Sequence, residues 1–146
     1  MADFKTLSDT MLASPQIAAA DIAAAKEAGV TLIVNNRPDG ESPDQPAGSD
    51  IEAAAAEAGI AYVAIPVTSA GFSQPQVQAM SDALKGTQGK VLAYCRSGTR
   101  STFLWSLAQT SMGADPDAVT SAAAEAGYDV SPVRPAMDMF AANARG

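Results

Sequence analysis

The chain has 146 residues, of which 47% are hydrophobic and 17% charged, and its formal net charge is −7. That length supports one domain with a real core, and the balance excludes disorder, a disulfide scaffold and a nucleic-acid partner held by its phosphates. With one cysteine and no histidine there is no internal disulfide, no zinc-ligand set and no imidazole base, which removes Ser-His-Asp and Cys-His mechanisms.

The opening MADFKTLSDTM lacks the basic cluster and apolar run of a secretory signal. No stretch approaches the ~18 apolar residues needed to span a bilayer. The expectation is a cytoplasmic protein with no membrane partner and no cofactor.

In chain order, a first strand near residues 4–12 is weakly signalled. Residues 15–28 read as a helix closed by Gly29. Residues 30–36, VTLIVNN, have the β-branched character of a buried parallel strand. Residues 37–49 carry three prolines and two glycines and read as a long loop, a kind of segment that is often functional. A helix from Asp50 to Gly59 follows, then a strand over 60–67 and a turn over 68–71. Ser73, Pro75 and Gln76 predict a capped helix running to Leu84. Residues 90–95, KVLAYC, form a third strand that ends on the cysteine. Thr99 to Met112 reads as a helix with Phe103, Leu104, Leu107 and Ala108 on its apolar face. Trp105 lies off that face, with core packing as its default role and a pocket or interface as the alternative. Asp115-Pro116 opens a helix ending at Gly127, and a last helix runs from Pro135 to Ala144. Such alternation predicts a single α/β domain over residues 1–146. Its mainly parallel sheet has about four to five strands and is flanked by helices.

Charge is unevenly spread. Between Asp82 and Asp115 there is no acid, while Lys85, Lys90, Arg96 and Arg100 all fall there, a focused anion site on an acidic protein. Cys95 closes a strand and precedes a helix, so unpaired N–H groups and the helix dipole favour thiolate over thiol. Gly98 permits close backbone approach, and Arg100 offers a planar fork for two oxygens of an anion. Arg96, Ser97, Thr99 and Ser101 complete the predicted cradle, with Ser101 a donor to the Cys95 sulfur or to a leaving group. The plain alternative is a small buried hydrophobe in an ordinary turn.

The CRSGTRS segment resembles the active-site loops of single-domain rhodaneses and of cysteine phosphatases. Residues 31–41, 61–67, 91–109 and 122–129 extend the likeness to a bacterial family. These are beta-lactamase-hydrolase-like proteins with a phosphatase-like domain, also described as sulfur transferases. The resemblance implies a fold like the dual-specificity phosphatases, Cys95 as nucleophile and residues 96–101 as the anion-binding loop.

Two departures bear on the reaction. The phosphatase pattern has one residue more between cysteine and arginine than Arg96, Ser97, Gly98 and Thr99, and the loop after residues 61–67 lacks the aspartate that would protonate a leaving alkoxide. Sulfur transfer needs no such acid. The sequence therefore favours a sulfurtransferase that takes a small sulfur-containing anion or persulfide and, lacking a resolving thiol, discharges to an external thiol acceptor. A phosphatase acting on a phosphate ester is the alternative, and a non-catalytic oxyanion-binding module a third. Asp39 or Glu41 would rescue the phosphatase reading as a displaced general acid, against a plain role in the turn at Pro38-Asp39-Gly40. Arg37 beside them is a candidate second-shell anion contact or a surface arginine.

Overall fold

A computed structural model describes residues 3–68 and 71–145, with side chains to Ala144. Its elements are β1 (Lys5–Ser8), β2 (Met11–Ser14), α1 (Ile22–Glu27), β3 (Val30–Asn35), α2 (Gly48–Glu57), β4 (Ala61–Ala64), α3 (Gln74–Lys85), β5 (Lys90–Tyr94), α4 (Thr99–Ser111), α5 (Pro116–Glu125) and α6 (Arg134–Arg145). The strands form one sheet in the order β1-β2-β5-β3-β4. Only β1 runs antiparallel, against β2.

Alternation along the strands divides the core in two, because successive side chains leave opposite faces. Leu32, Val34, Val91 and Ala93 point to one face, under α3, α4, α5 and α6. Ile33, Leu92 and Tyr94 point to the other, under α1 and α2, and Val30 joins them across a register irregularity between Val30 and Leu32. The register aligns Ser14, Tyr94, Asn35 and Ala64 across the sheet. The loops that follow β2, β3, β4 and β5 therefore share one rim, the carboxyl edge where open α/β sheets bind ligands.

Several elements differ from the sequence expectation. The weak first strand is a hairpin, β1 and β2; β2 is four fully buried residues, MLAS, stopped by Pro15, too short for a periodic signal. The helix expected over 15–28 begins later, as a 3-10 turn at Ala19–Asp21 leading into α1. Upstream of it the Gln16 N–H is committed to the Arg96 carbonyl at 3.2 Å, and the Ala18 N–H to the Asp21 carboxylate at 2.8 Å. The strand expected over 60–67 ends at Ala64. Ile65 and Val67 still donate to the carbonyls of Asn35 and Asn36 at 2.9 Å each, but Pro66 between them has no N–H to continue a ladder. Of the turn at 68–71, Thr68 and Gly71 bridge each other, and residues 69–70 lie outside the described residues.

The capping signals correspond to real caps. Ser73 and Gln76 bond reciprocally at the start of α3, and Asp115 accepts from the Asp117 N–H ahead of Pro116. Helix α4 is more enclosed than its predicted single face, with Ser101, Thr102, Leu104, Trp105, Ser106, Leu107, Ala108 and Thr110 all buried. Its hydroxyls return to the helix's own carbonyls: Thr102 to Gly98, Ser106 to Thr102, and Thr110 to Ser106. These hydroxyls can thus sit inside without an unmet bond. Trp105 is a core residue, 3% exposed. Among the described residues no helix is long and apolar enough to cross a membrane.

Candidate active site

β5 ends at Tyr94 and α4 starts at Thr99, which leaves residues 95–98 to turn the chain from sheet to helix. The turn closes because Gly98 adopts φ +90°, a left-handed conformation that side chains disfavour. Cys95 is fully buried at the sheet rim. Its N–H donates to the Ser14 carbonyl at 3.4 Å, and its Sγ accepts the Gly98 N–H at 3.1 Å. The N–H groups of Arg96 and Ser97 have no hydrogen-bond partner among the described residues. Free N–H groups beside a helix start are donors of the kind an anion can use.

Inside the loop the Ser97 hydroxyl donates to Thr99 Oγ1 at 2.9 Å, and the Thr99 N–H donates to Ser97 Oγ at 3.4 Å. Arg96 is exposed, and its guanidinium has no partner among the described residues. It borders a cleft of about 290 Å³ lined also by Gln16, Arg37, Asp44 and Gln45. From the far side, the Tyr128 hydroxyl donates to the Ser97 carbonyl at 3.1 Å.

Arg100 reaches back from α4 to the loop after β3. One terminal nitrogen donates to Glu41 Oε2 and to the Val67 carbonyl, both at 2.7 Å, and the other to Glu41 Oε1 at 2.8 Å. Arg37, only 5% exposed, holds the same carboxylate through Nε at 2.9 Å. Its remaining nitrogens donate to Gln16 Oε1 and Ser42 Oγ. Glu41 thus lies between two guanidiniums. The Arg100 hydrogen bond is the main reason its pKa falls to about 2, with desolvation opposing and Arg37 assisting. In turn Glu41 chiefly, and then the charge of Cys95, raise the pKa of Arg100 and hold it as a cation.

Four of the sequence-predicted side chains have partners of their own in the fold. Ser101 is buried, and its hydroxyl donates to Asn36 Oδ1 at 2.8 Å, an amide oxygen just past the end of β3, rather than to the Cys95 sulfur. Asn36 passes the link on through Nδ2 to the Ile65 carbonyl at 2.9 Å. Asp39 accepts the Gly48 N–H at 2.8 Å and so satisfies a free donor at the start of α2. Glu41 is held ionised between Arg37 and Arg100. Arg37 is a buried ion-pair partner and not a surface arginine.

Sequence reasoning missed Asn36, the Glu41 bridge and Tyr128. The four-residue spacing of Arg37 and Glu41 is the one signal that pointed to a pair. Tyr128 lies in the 122–129 segment, but nothing local gave it a role at the loop, which it reaches through the α5 connection.

The sequence profile of the family described as "Beta-lactamase hydrolase-like protein, phosphatase-like domain" matches residues 3–112. A beta-lactamase hydrolase-like protein of Xylella fastidiosa is 42% identical over 81 residues, which is 56% of this chain but only 19% of that protein. The chain therefore spans about a fifth of the length of that curated relative. A crystal structure from Neisseria meningitidis, of a protein provisionally described as a phosphatase, superposes with a TM-score of 0.78 at 31% identity, covering 93% of this chain and 96% of the other. The active form of Tk-PTP shares the fold at 15% identity, with a TM-score of 0.74 over 95% of this chain and 96% of its own. The architecture is that of cysteine-dependent phosphatase-like enzymes.

Proposed function

The chain belongs to the family of beta-lactamase hydrolase-like proteins through their phosphatase-like domain, and on that footing we propose that it is a cysteine-dependent sulfurtransferase. The carrying observation is the state of the two carboxylates after β3. Glu41 is held ionised by Arg37 and Arg100, and Asp39 is engaged with Gly48, so neither delivers a proton to a leaving group. A reaction that expels an anion stable without protonation fits such a site.

In this reading the Cys95 thiolate attacks the outer sulfur of thiosulfate or of a persulfide. A bond forms between Cys95 Sγ and that sulfur as the bond to sulfite or to a thiolate breaks, and the leaving group departs with the electron pair. The Cys95 persulfide sits where the Gly98 N–H already meets sulfur, and the free N–H groups of Arg96 and Ser97 supply further donors. Arg96 and Arg100 offset the incoming negative charge. An external thiolate then attacks the outer sulfur and restores the Cys95 thiolate; Cys95 is the chain's only cysteine, so the acceptor must come from outside.

A second reading, hydrolysis of a phosphate ester, is favoured by the phosphatase-like description of the family and of the Neisseria relative. It requires a proton donor for the leaving oxygen, and the carboxylate lining the cleft beside Arg96 is Asp44.

Incubation with thiosulfate followed by intact-mass measurement separates the readings. Sulfur transfer predicts a gain of one sulfur that is absent in Cys95→Ser. No adduct, together with vanadate-sensitive turnover of p-nitrophenyl phosphate, would establish the phosphatase instead. Neither signal, with Cys95 inert to iodoacetamide, would leave a non-catalytic oxyanion-binding module.

A further inference from the structure

We propose that Tyr128 is a positioning residue for Cys95, acting through the Ser97–Gly98 peptide. The Tyr128 hydroxyl donates to the carbonyl of that peptide at 3.1 Å, and the N–H of the same peptide donates to Cys95 Sγ at 3.1 Å. The peptide is trans and planar, so its C=O and N–H point in opposite directions from one rigid unit. Fixing the oxygen from the outside fixes the direction in which the N–H meets the sulfur. A hydrogen bond to the carbonyl also polarises the amide and strengthens its N–H as a donor.

The tyrosine is itself aimed. Gly127 ends α5 at φ +99°, and the Tyr128 N–H folds back onto the Ala123 carbonyl at 2.9 Å. That six-to-one bond past a left-handed glycine is a helix-ending motif that sets the direction of the outgoing chain. Packing against the loop is close: a Cβ on Gly98 would overlap the phenol oxygen. Burial first, and then the negative charge of Cys95, raise the pKa of the phenol, which keeps it protonated and able to donate.

This rests on Cys95 as the nucleophile and not on the choice between sulfur and phosphate, so its test uses neither substrate. The second-order rate of Cys95 alkylation by iodoacetamide is measured at pH 7 in the parent, Tyr128→Phe and Tyr128→Leu, with thermal unfolding of each. Loss of one hydrogen bond in the chain to sulfur should slow alkylation about fivefold in Tyr128→Phe, with Tyr128→Leu slowed comparably. Parental reactivity in Tyr128→Phe, whether or not Tyr128→Leu is slow, would overturn the proposal, since only the ring would then matter. A parent inert to iodoacetamide would remove the nucleophile itself, and the proposal with it.

Discussion

Glu41 and Arg100 meet as a two-point pair, one carboxylate oxygen at 2.7 Å and the other at 2.8 Å from separate guanidinium nitrogens. The edge of Arg100 suited to two oxygens of a substrate anion is therefore occupied by an internal carboxylate, and Cys95 behind it is fully buried. An incoming oxyanion competes with Glu41 for the fork. Glu41→Gln keeps the shape but removes the competing charge. Sulfate or vanadate should bind it several-fold more tightly, while stability falls by about 1–3 kcal/mol because Arg37 and Arg100 lose a charged acceptor. Calorimetric titration and urea unfolding read the two effects; weaker anion binding would mean that Glu41 instead holds Arg100 in its productive pose.

The same carboxylate sets an acid limit on the site. Its folded pKa is depressed, from 4.5 to about 2. A depressed carboxylate contributes stability that is fully present above its unfolded pKa and is lost as pH falls through the folded one. The stability gap between parent and Glu41→Gln should therefore stay level from pH 7 to 5 and narrow from pH 4.5 towards 2. Urea midpoints of both proteins at pH 7, 4.5 and 3 measure it. A gap that shrinks between pH 7 and 5 would place the linkage on another group.

Ser101 shows how the loop is anchored. Its hydroxyl, Asn36 and the Ile65 carbonyl form one buried chain that ties the first turn of α4 to the ends of β3 and β4. Ser101→Ala leaves Asn36 Oδ1 without that donor and should cost about 1–3 kcal/mol. Because the hydroxyl does not bond to sulfur, alkylation of Cys95 in the folded variant should stay near the parental rate. A large loss of reactivity without loss of stability would return Ser101 to the sulfur.

The difference between what the sequence carried and what it hid follows from the range of each interaction. Strand β3, the turn glycine and the capped start of α3 are local signals, set by a β-branched run, a residue free to take a left-handed φ and a serine three residues from a glutamine. The Cys95–Arg100 loop was legible for the same reason. Glu41 reaches Arg100 across 59 residues and Tyr128 reaches Ser97 across 31. Such pairs are decided by the order in which strands enter the sheet, and no window of sequence contains both partners. Helix α4 was misjudged as one-sided because its buried serines and threonines satisfy themselves against their own backbone, which reads as a polar face.

Gly98 is where backbone and side-chain constraints coincide. At φ +90° an alanine costs roughly 1–2 kcal/mol for the left-handed backbone alone, and its Cβ would also overlap the Tyr128 phenol oxygen and press on the ring carbon behind it. Gly98→Ala should lower stability by more than the backbone cost and displace the N–H that meets Cys95 Sγ, so on the sulfurtransferase reading persulfide formation from thiosulfate should drop sharply. The double variant Gly98→Ala with Tyr128→Phe removes the phenol oxygen but not the ring. It should regain part of the lost stability, a non-additive recovery expected of residues in contact, and little of the sulfur uptake, since the backbone stays strained. Urea unfolding of the four proteins in the cycle measures the coupling. Strict additivity would show that the loop relaxes away from Tyr128 and that the left-handed backbone alone accounts for the loss.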